Sequence, residues 1–284
     1  MPHLVHSRRF RLHVVPLGIL VLLLLLVAGT AAAAPQAELW PRWTEHDPES
    51  NRSIDHEPWG RFMEEYLITD HPSGVNRVRY GEVTREDATA LTSYVEDLQA
   101  VRVSRLNREE QRAFWLNLYN AYTVKLIVDN YPVDSIQDIN ISGLFSNGPW
   151  DAKIMTVEGV EVSLNDIEHR ILRPIYEDPL VHYAVNCASI GCPNLQPEPF
   201  TADNYRRLAE RGARAYVNHP RGVNVDADPL VASSIYDWFV ADFGGDWSGV
   251  VDHLTTYAEP EPARRLQTYE GPVRYRYDWS LNEP

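Results

Sequence analysis

Between Asn107 and Pro132 the chain reads NREEQRAFWLNLYNAYTVKLIVDNYP. Ala113, Leu116, Tyr119 or Asn120, Thr123 and Ile127 recur at helical spacing, while Phe114, Leu118 and Tyr122 line a second face. A helix apolar on most sides is central and buried. Asn107 is placed to cap it, Glu110 follows three residues on as in a capping box, and Pro132 ends it. Asn117 and Asn120 fall inside the buried length, where their amides must find partners. Those partners are either neighbouring backbone or a bound ligand.

Downstream the period changes. Residues 152–162 alternate apolar and polar around Glu158-Gly159, which predicts two short strands joined by a tight turn. A helix follows, capped by Ser163 with Asp166 three residues later. On it Ile167 and Ile171 face the core, and Glu168 and His169, being consecutive, point about 100° apart. LVHYAVNC, after Asp178-Pro179, alternates like a strand that ends near Asn186, with Val181, Tyr183 and Val185 on one side and His182 and Ala184 on the other. VNVDADPLVASSIYDWFVADFGG predicts a strand, a turn and a helix capped near Ser233 or Ser234, closed by Gly244-Gly245. The last segment, RYRYDWSLNEP, alternates and needs a sheet to hold it. Helices mixed with short hairpin-linked strands indicate an α+β domain, a small mixed or antiparallel sheet packed on helices. Trp115, Trp150, Trp238 and Trp279 are expected in its core.

The N-terminus changes the setting. Arg8, Arg9 and Arg11 precede an apolar stretch from Val14 to Ala28 and an alanine run, the layout of a secretory signal over residues 1–33. Pro16, Gly18 and the alanines favour cleavage after Ala33 over an uncleaved anchor, and either places the body outside the cytoplasm. Residues 34–58 read as a polar, proline-punctuated lead-in, and residues 59–284 as one globular domain, since about 250 residues suffice for a single core. Loss of the signal removes three arginines and no acids, taking the formal charge from −14 to −17. That balance speaks against nucleic acid or anionic lipid as partners, apart from any membrane contact through an uncleaved N-terminal segment.

Both cysteines of the chain, Cys187 and Cys192, lie in CASIGC, just after His182. A thiolate at a turn, with His182 or His169 as base and Glu168 or Asn117 to orient the imidazole, would attack an amide or thioester carbonyl. The Cys187 N–H and the Asn186 side chain would hold the oxyanion. Against this, two cysteines of an exported protein pair by default into a disulfide that fixes a local loop. A metal at His169, His182 and Cys187 has no HxxxH or CxxC spacing behind it, and no cofactor motif is present. Asp278 and Asn282 of the closing segment either cap the tail or line the same cleft.

FWLNLYNAYTV, VSLNDIEHRILRP, DPLVHYAVNCASIGCPNL, SSIYDWFVADF and YDWSLN, in this order over residues 107–282, resemble the family catalogued as domain of unknown function 547. The resemblance implies a distant likeness to papain-like cysteine hydrolases and transglutaminases, with a Cys, His and Glu site at Cys187, His182 or His169, and Glu168. It leaves two readings open. One is an exported cysteine-dependent amide-bond hydrolase or acyltransferase acting on a peptide or small thiol-containing peptide, with Asn117, Asn120, Asn186 and Asp278 near the substrate. The other is a catalytically silent binding module with Cys187 and Cys192 bridged.

Overall fold

A computed structural model describes residues 35–143 and 148–284. The segment read as an export signal lies outside these residues. The chain from Pro35 forms one compact unit. In chain order it contains α1 (Glu57–Tyr66), β1 (Leu67–Ile68), β2 (Arg77–Val78), α2 (Arg85–Gln99), α3 (Arg108–Asn130), β3 (Met155–Val157) and β4 (Val160–Val162). A π-helical segment (Asp166–Leu172) then runs into α4 (Arg173–Tyr176). After these come α5 (Tyr205–Val217), β5 (Val223–Asn224), β6 (Leu230–Ser233), α6 (Ile235–Trp238), α7 (Trp247–Tyr257), α8 (Pro260–Gln267) and β7 (Val273–Arg276). The class is α+β, as the pattern implied.

The predicted central helix is α3. Asn107 caps it by accepting from the Glu110 N–H at 2.9 Å, and Tyr131, before Pro132, leaves it in an extended conformation. The Glu110 carboxylate does not close the box; it accepts instead from Ile54 N–H at 2.7 Å, tying down the lead-in. Phe114, Leu116, Leu118 and Ile127 are wholly buried, so α3 packs on all sides, against α2 and the π segment among others. Truncating one such ring, Phe114→Ala, costs about 3–5 kcal/mol.

The hairpin β3–β4 turns at Glu158 and Gly159, both with positive φ (47° and 75°), as a tight hairpin turn requires. The largest sheet is mixed: β6 pairs antiparallel with β5 and parallel with β7, with Leu230 opposite Val273 and Ser233 opposite Arg276. The tail beyond β7 returns to the cysteine loop. The lead-in is packed as well as extended: Glu38 and Trp40 donate their N–H groups to the carbonyls of His169 and Arg170, and Trp43 is in the core.

Two local expectations are corrected. LVHYAVNC is no strand; Pro179–Tyr183 is a 3-10 turn, capped by Asp178, whose carboxylate accepts from Leu180 N–H at 3.0 Å. Alternation misleads here because His182 and Ala184 are buried as fully as Val181 and Tyr183, so no face is solvated. The helix expected from Ser234 breaks at Phe239, giving α6 and then a 3-10 turn, Val240–Phe243, closed by Gly244 at φ 101°. Among the described residues no helix is long and apolar enough to cross a membrane.

Burial holds the pKa of His56, and likewise of His253 beside the charge of His182, down to about 4. The unfolded chain, titrating near pH 6.5, binds these protons first, so stability is complete above about pH 6.5 and falls on acidification toward pH 4. For His56 the loss is on the order of 3 kcal/mol. Urea unfolding at pH 7.5 and 4.5 should show a larger loss for the wild type than for His56→Gln; equal losses would refute the linkage.

Candidate functional site

The cysteine loop is held by amides and by the tail. Asn120, on α3, donates from Nδ2 to the Ala184 carbonyl at 2.8 Å and accepts from Asn186 N–H at 2.8 Å. Asn186 spans the loop, donating to the Pro193 carbonyl (2.8 Å) and accepting from Ala188 N–H (2.9 Å). Asn117 clamps Phe200 at both its N–H and its C=O, at 3.0 and 2.7 Å. These asparagines, read as possible substrate contacts, spend their side chains on backbone. The N–H groups of Ile190 and Gly191 donate to the carbonyls of Ser280 and Asp278, and Asn282 N–H donates to Ala188. A Cβ on Gly191 would lie 2.8 Å from the Asp278 carbonyl, so the approach requires glycine. The Asp278 carboxylate is exposed and caps Ser280 N–H at 2.9 Å, while Asn282 accepts from the Tyr80 hydroxyl at 2.8 Å.

Within this loop Cys187 and Cys192 are disulfide-bonded, with Cα atoms 6.2 Å apart. Cys187 is partly exposed and Cys192 is buried. The Cys187 N–H points at the Cys192 sulfur at 2.9 Å. The Tyr277 hydroxyl, just past β7, lies 2.9 Å from the Cys187 sulfur and 3.1 Å from that of Cys192, and accepts from Ser189 Oγ at 3.0 Å. Ser189 Oγ is itself 3.1 Å from the Cys187 sulfur. Neither histidine is among the polar partners described for Cys187.

The acid–base residues form a separate buried cluster. The π segment has more residues per turn than an α-helix, which narrows the angle between consecutive side chains. Glu168 Oε1 accordingly lies 3.9 Å from His169 Nδ1 as well as 4.0 Å from His182 Nδ1, so Glu168 and His169 converge where α-helical geometry would separate them. Glu168 Oε2 accepts from the Tyr119 hydroxyl at 3.0 Å. The other ring nitrogen of His182, Nε2, is 2.7 Å from Asp242 Oδ2, which also accepts from Arg173 Nε at 2.5 Å. Arg173 Nη1 in turn lies 3.0 Å from His169 Nδ1. The His182 ring is stacked on Phe239 (4.6 Å, 15°), and its side chain is 2% exposed.

Charge states follow from these surroundings. Burial, with the Arg173 and His182 charges, lowers the His169 pKa against the pull of Glu168, which keeps its ring neutral and able to accept from Arg173. Burial pushes the Asp242 carboxyl up, but the hydrogen bonds and charges of His182 and Arg173 outweigh it and hold Asp242 well below the usual carboxylate range. Tyr119 and Tyr277 are raised well above 10, chiefly by burial of the hydroxyl, with Glu168 adding to both, so each remains a proton donor.

Trp238, Tyr277 and Trp279 form a cluster with centroids 4.6–5.8 Å apart, Trp238 stacked on Trp279 and Tyr277 tilted against both, and Trp150 meets Trp279 at 6.2 Å. These rings are half-buried. Only Trp115 of the four tryptophans expected in the core is fully enclosed. Asp242, Arg173, Tyr119 and Tyr277 were not among the sequence candidates. Their traces were an acid inside the apolar run WFVADF, an arginine four residues after His169, and tyrosines spaced as ordinary core positions.

Residues 103–217 match the family model described as "Protein of unknown function, DUF547". That segment belongs to this family. It carries Asn117, Asn120, Glu168, His169, His182 and both cysteines, and stops before Asp242 and Tyr277, which complete the two clusters from outside it. No curated protein and no solved structure matches the chain. Among the described residues no group of three or more His, Cys, Asp or Glu side chains is placed to hold a metal ion.

Asp242→Asn would leave buried Arg173 without its carboxylate, and removing one partner of a buried pair costs about 3–5 kcal/mol. Denaturant unfolding should show a loss of at least about 2 kcal/mol. A change under about 0.5 kcal/mol, the scale of a surface substitution, would show that the cluster carries no stability.

Proposed function

We propose that this protein acts outside the cytoplasm as a peptide-recognition module of its family, with the Cys187–Cys192 bond closed. The observation that carries this reading is the separation of sulfur from imidazole. Cys187 is engaged by Cys192, Tyr277 and Ser189, whereas His182 bonds Asp242 through Nε2 at 2.7 Å and has Glu168 4.0 Å from Nδ1. A general base must lie within hydrogen-bond reach of the thiol, and neither histidine is among the polar partners described for Cys187. The amide of Asn186, needed for an oxyanion, is occupied by Pro193 and Ala188. What lies beside the loop instead is a cluster of partly exposed aromatic rings, which supply large, rigid contact area at low entropic cost. Export rests on the charged and apolar pattern of the first residues, and a disulfide suits an oxidising compartment.

A second reading, the cysteine-dependent amide hydrolase or acyltransferase, is favoured by the Glu168, His182 and Asp242 cluster. Buried ionisable groups are costly and gather at functional sites. It requires reduction of the bond and movement of an imidazole toward Cys187.

One pair of experiments separates the two. Reduced and oxidised protein are incubated with a panel of peptide thioesters and anilides, and Cys187 is inspected for an acyl adduct by mass spectrometry. A displayed peptide library is selected on the oxidised protein and counter-screened on Trp238→Ala and Trp279→Ala. Recognition predicts no adduct or turnover above Cys187→Ala, and selected peptides at least tenfold weaker on the variants. An acyl-Cys187 adduct, or peptides indifferent to both tryptophans, would overturn it.

A further inference from the structure

The surroundings of the two sulfurs are unequal. Cys187 is the partly exposed one, so an incoming nucleophile meets its sulfur first, whereas Cys192 is 5% exposed. The Tyr277 hydroxyl serves both sulfurs, 2.9 Å from Cys187 and 3.1 Å from Cys192, and Ser189 Oγ lies 3.1 Å from Cys187; the donor aimed at the buried sulfur alone is the Cys187 N–H, at 2.9 Å. Ser189, itself buried, donates to the Tyr277 oxygen and so directs the phenol proton away from itself toward the sulfurs. A disulfide sulfur is a weak, neutral acceptor that gains little from two donors. A thiolate in the same position gains much more, because hydrogen bonds to an ionised acceptor are roughly twice as strong as neutral ones. Attack at the exposed Cys187 therefore leaves the charge on buried Cys192, where the backbone N–H and the shared Tyr277 hydroxyl receive it.

From this asymmetry we propose that Cys187 and Cys192 form an exchange-active dithiol–disulfide couple, in which an aliphatic thiolate attacks Cys187 and Cys192 is the leaving group. The bond between the external sulfur and Cys187 Sγ forms as the Cys187–Cys192 bond breaks. The electron pair of that bond leaves on Cys192 as thiolate, held by the Cys187 N–H and Tyr277. A second external thiolate then attacks the external sulfur of the mixed disulfide, releasing an oxidised external disulfide and the Cys187 thiolate. Two external thiols are thereby oxidised and one protein disulfide reduced. In reverse, Cys192 attacks the mixed disulfide at Cys187 and expels the external thiolate. Tyr277 acts as a positioning and stabilising donor. Its hydroxyl stays protonated because burial raises its pKa well above 10. The couple is independent of peptide recognition: it concerns the bond beside the aromatic cluster, and either can fail without the other.

The test uses the folded protein in glutathione buffers of graded redox poise, quenched with iodoacetamide and mapped by mass spectrometry. Expected are a glutathione adduct on Cys187 and none on Cys192, and a reversible approach to the dithiol without denaturant. Tyr277→Phe, which keeps the ring, should shift the equilibrium toward the disulfide about tenfold, or about 30 mV for a two-electron couple, and slow the first attack. Ser189→Ala should move both in the same direction by a smaller factor, and serves in place of Tyr277→Phe if that variant does not fold. An adduct on Cys192, reduction only after unfolding, or variants with unchanged equilibrium and rate would overturn the proposal.

Discussion

Asn120 lies in the stretch of α3, Ala113 to Ala121, that is buried on every side, so its amide cannot be left to water. Its two hydrogen bonds, to the Ala184 carbonyl and the Asn186 N–H, determine where the chain leaves the 3-10 turn and enters the cysteine loop. An unpaired buried amide costs about 1–3 kcal/mol, and the penalty keeps donor and acceptor together. Asn186, placed by that contact, spans the loop to Pro193 and Ala188 and brings the two cysteines within bonding reach. The tail then lies down on Ile190 and Gly191, carrying Tyr277 to the sulfurs. The disulfide is the last link of this sequence, since the hydrogen bonds define the loop around it.

The second cluster is organised by charge. Arg173 and His182 share one oxygen of Asp242, and Glu168 faces both histidines while accepting from Tyr119. These groups come from the π segment, α3, α4 and the two 3-10 turns at Pro179 and Val240, so the cluster ties distant parts of the chain at one point. The π segment supplies Glu168 and His169, and Arg173, four residues after His169, reaches Asp242. The lead-in lies along the carbonyls of the same segment, and Arg173 also donates to the Pro35 carbonyl at 2.8 Å. The two clusters communicate electrostatically through Glu168, Tyr119 and Tyr277.

Where the physics is local, the chain is legible from its residues. Asn107 and Pro132 bound α3; Glu158-Gly159 turns the hairpin; Ser163 and Asp166 exchange their capping bonds at 3.1 and 2.8 Å. Each depends on backbone groups only a few positions away. The all-round apolar pattern of α3 likewise required burial, and with it the need to satisfy Asn117 and Asn120. The proximity of Cys187 and Cys192, five residues apart, was enough to raise the disulfide. The 3-10 turn at Pro179 was not legible, because a segment buried on every side carries no solvent-facing positions to reveal its period.

The sequence by itself determined the α+β class, the central helix, the hairpin and the cysteine pair, since these follow from composition, period and short-range capping. Tertiary structure alone decided the partners. Asp242 bonds His182 across sixty positions and Tyr277 reaches Cys187 across ninety. Trp150, Trp238 and Trp279 pack against the core but are only partly covered by it, for the same reason. Which apolar ring is covered, and which buried donor meets which acceptor, depends on elements distant along the chain, and no periodicity records it.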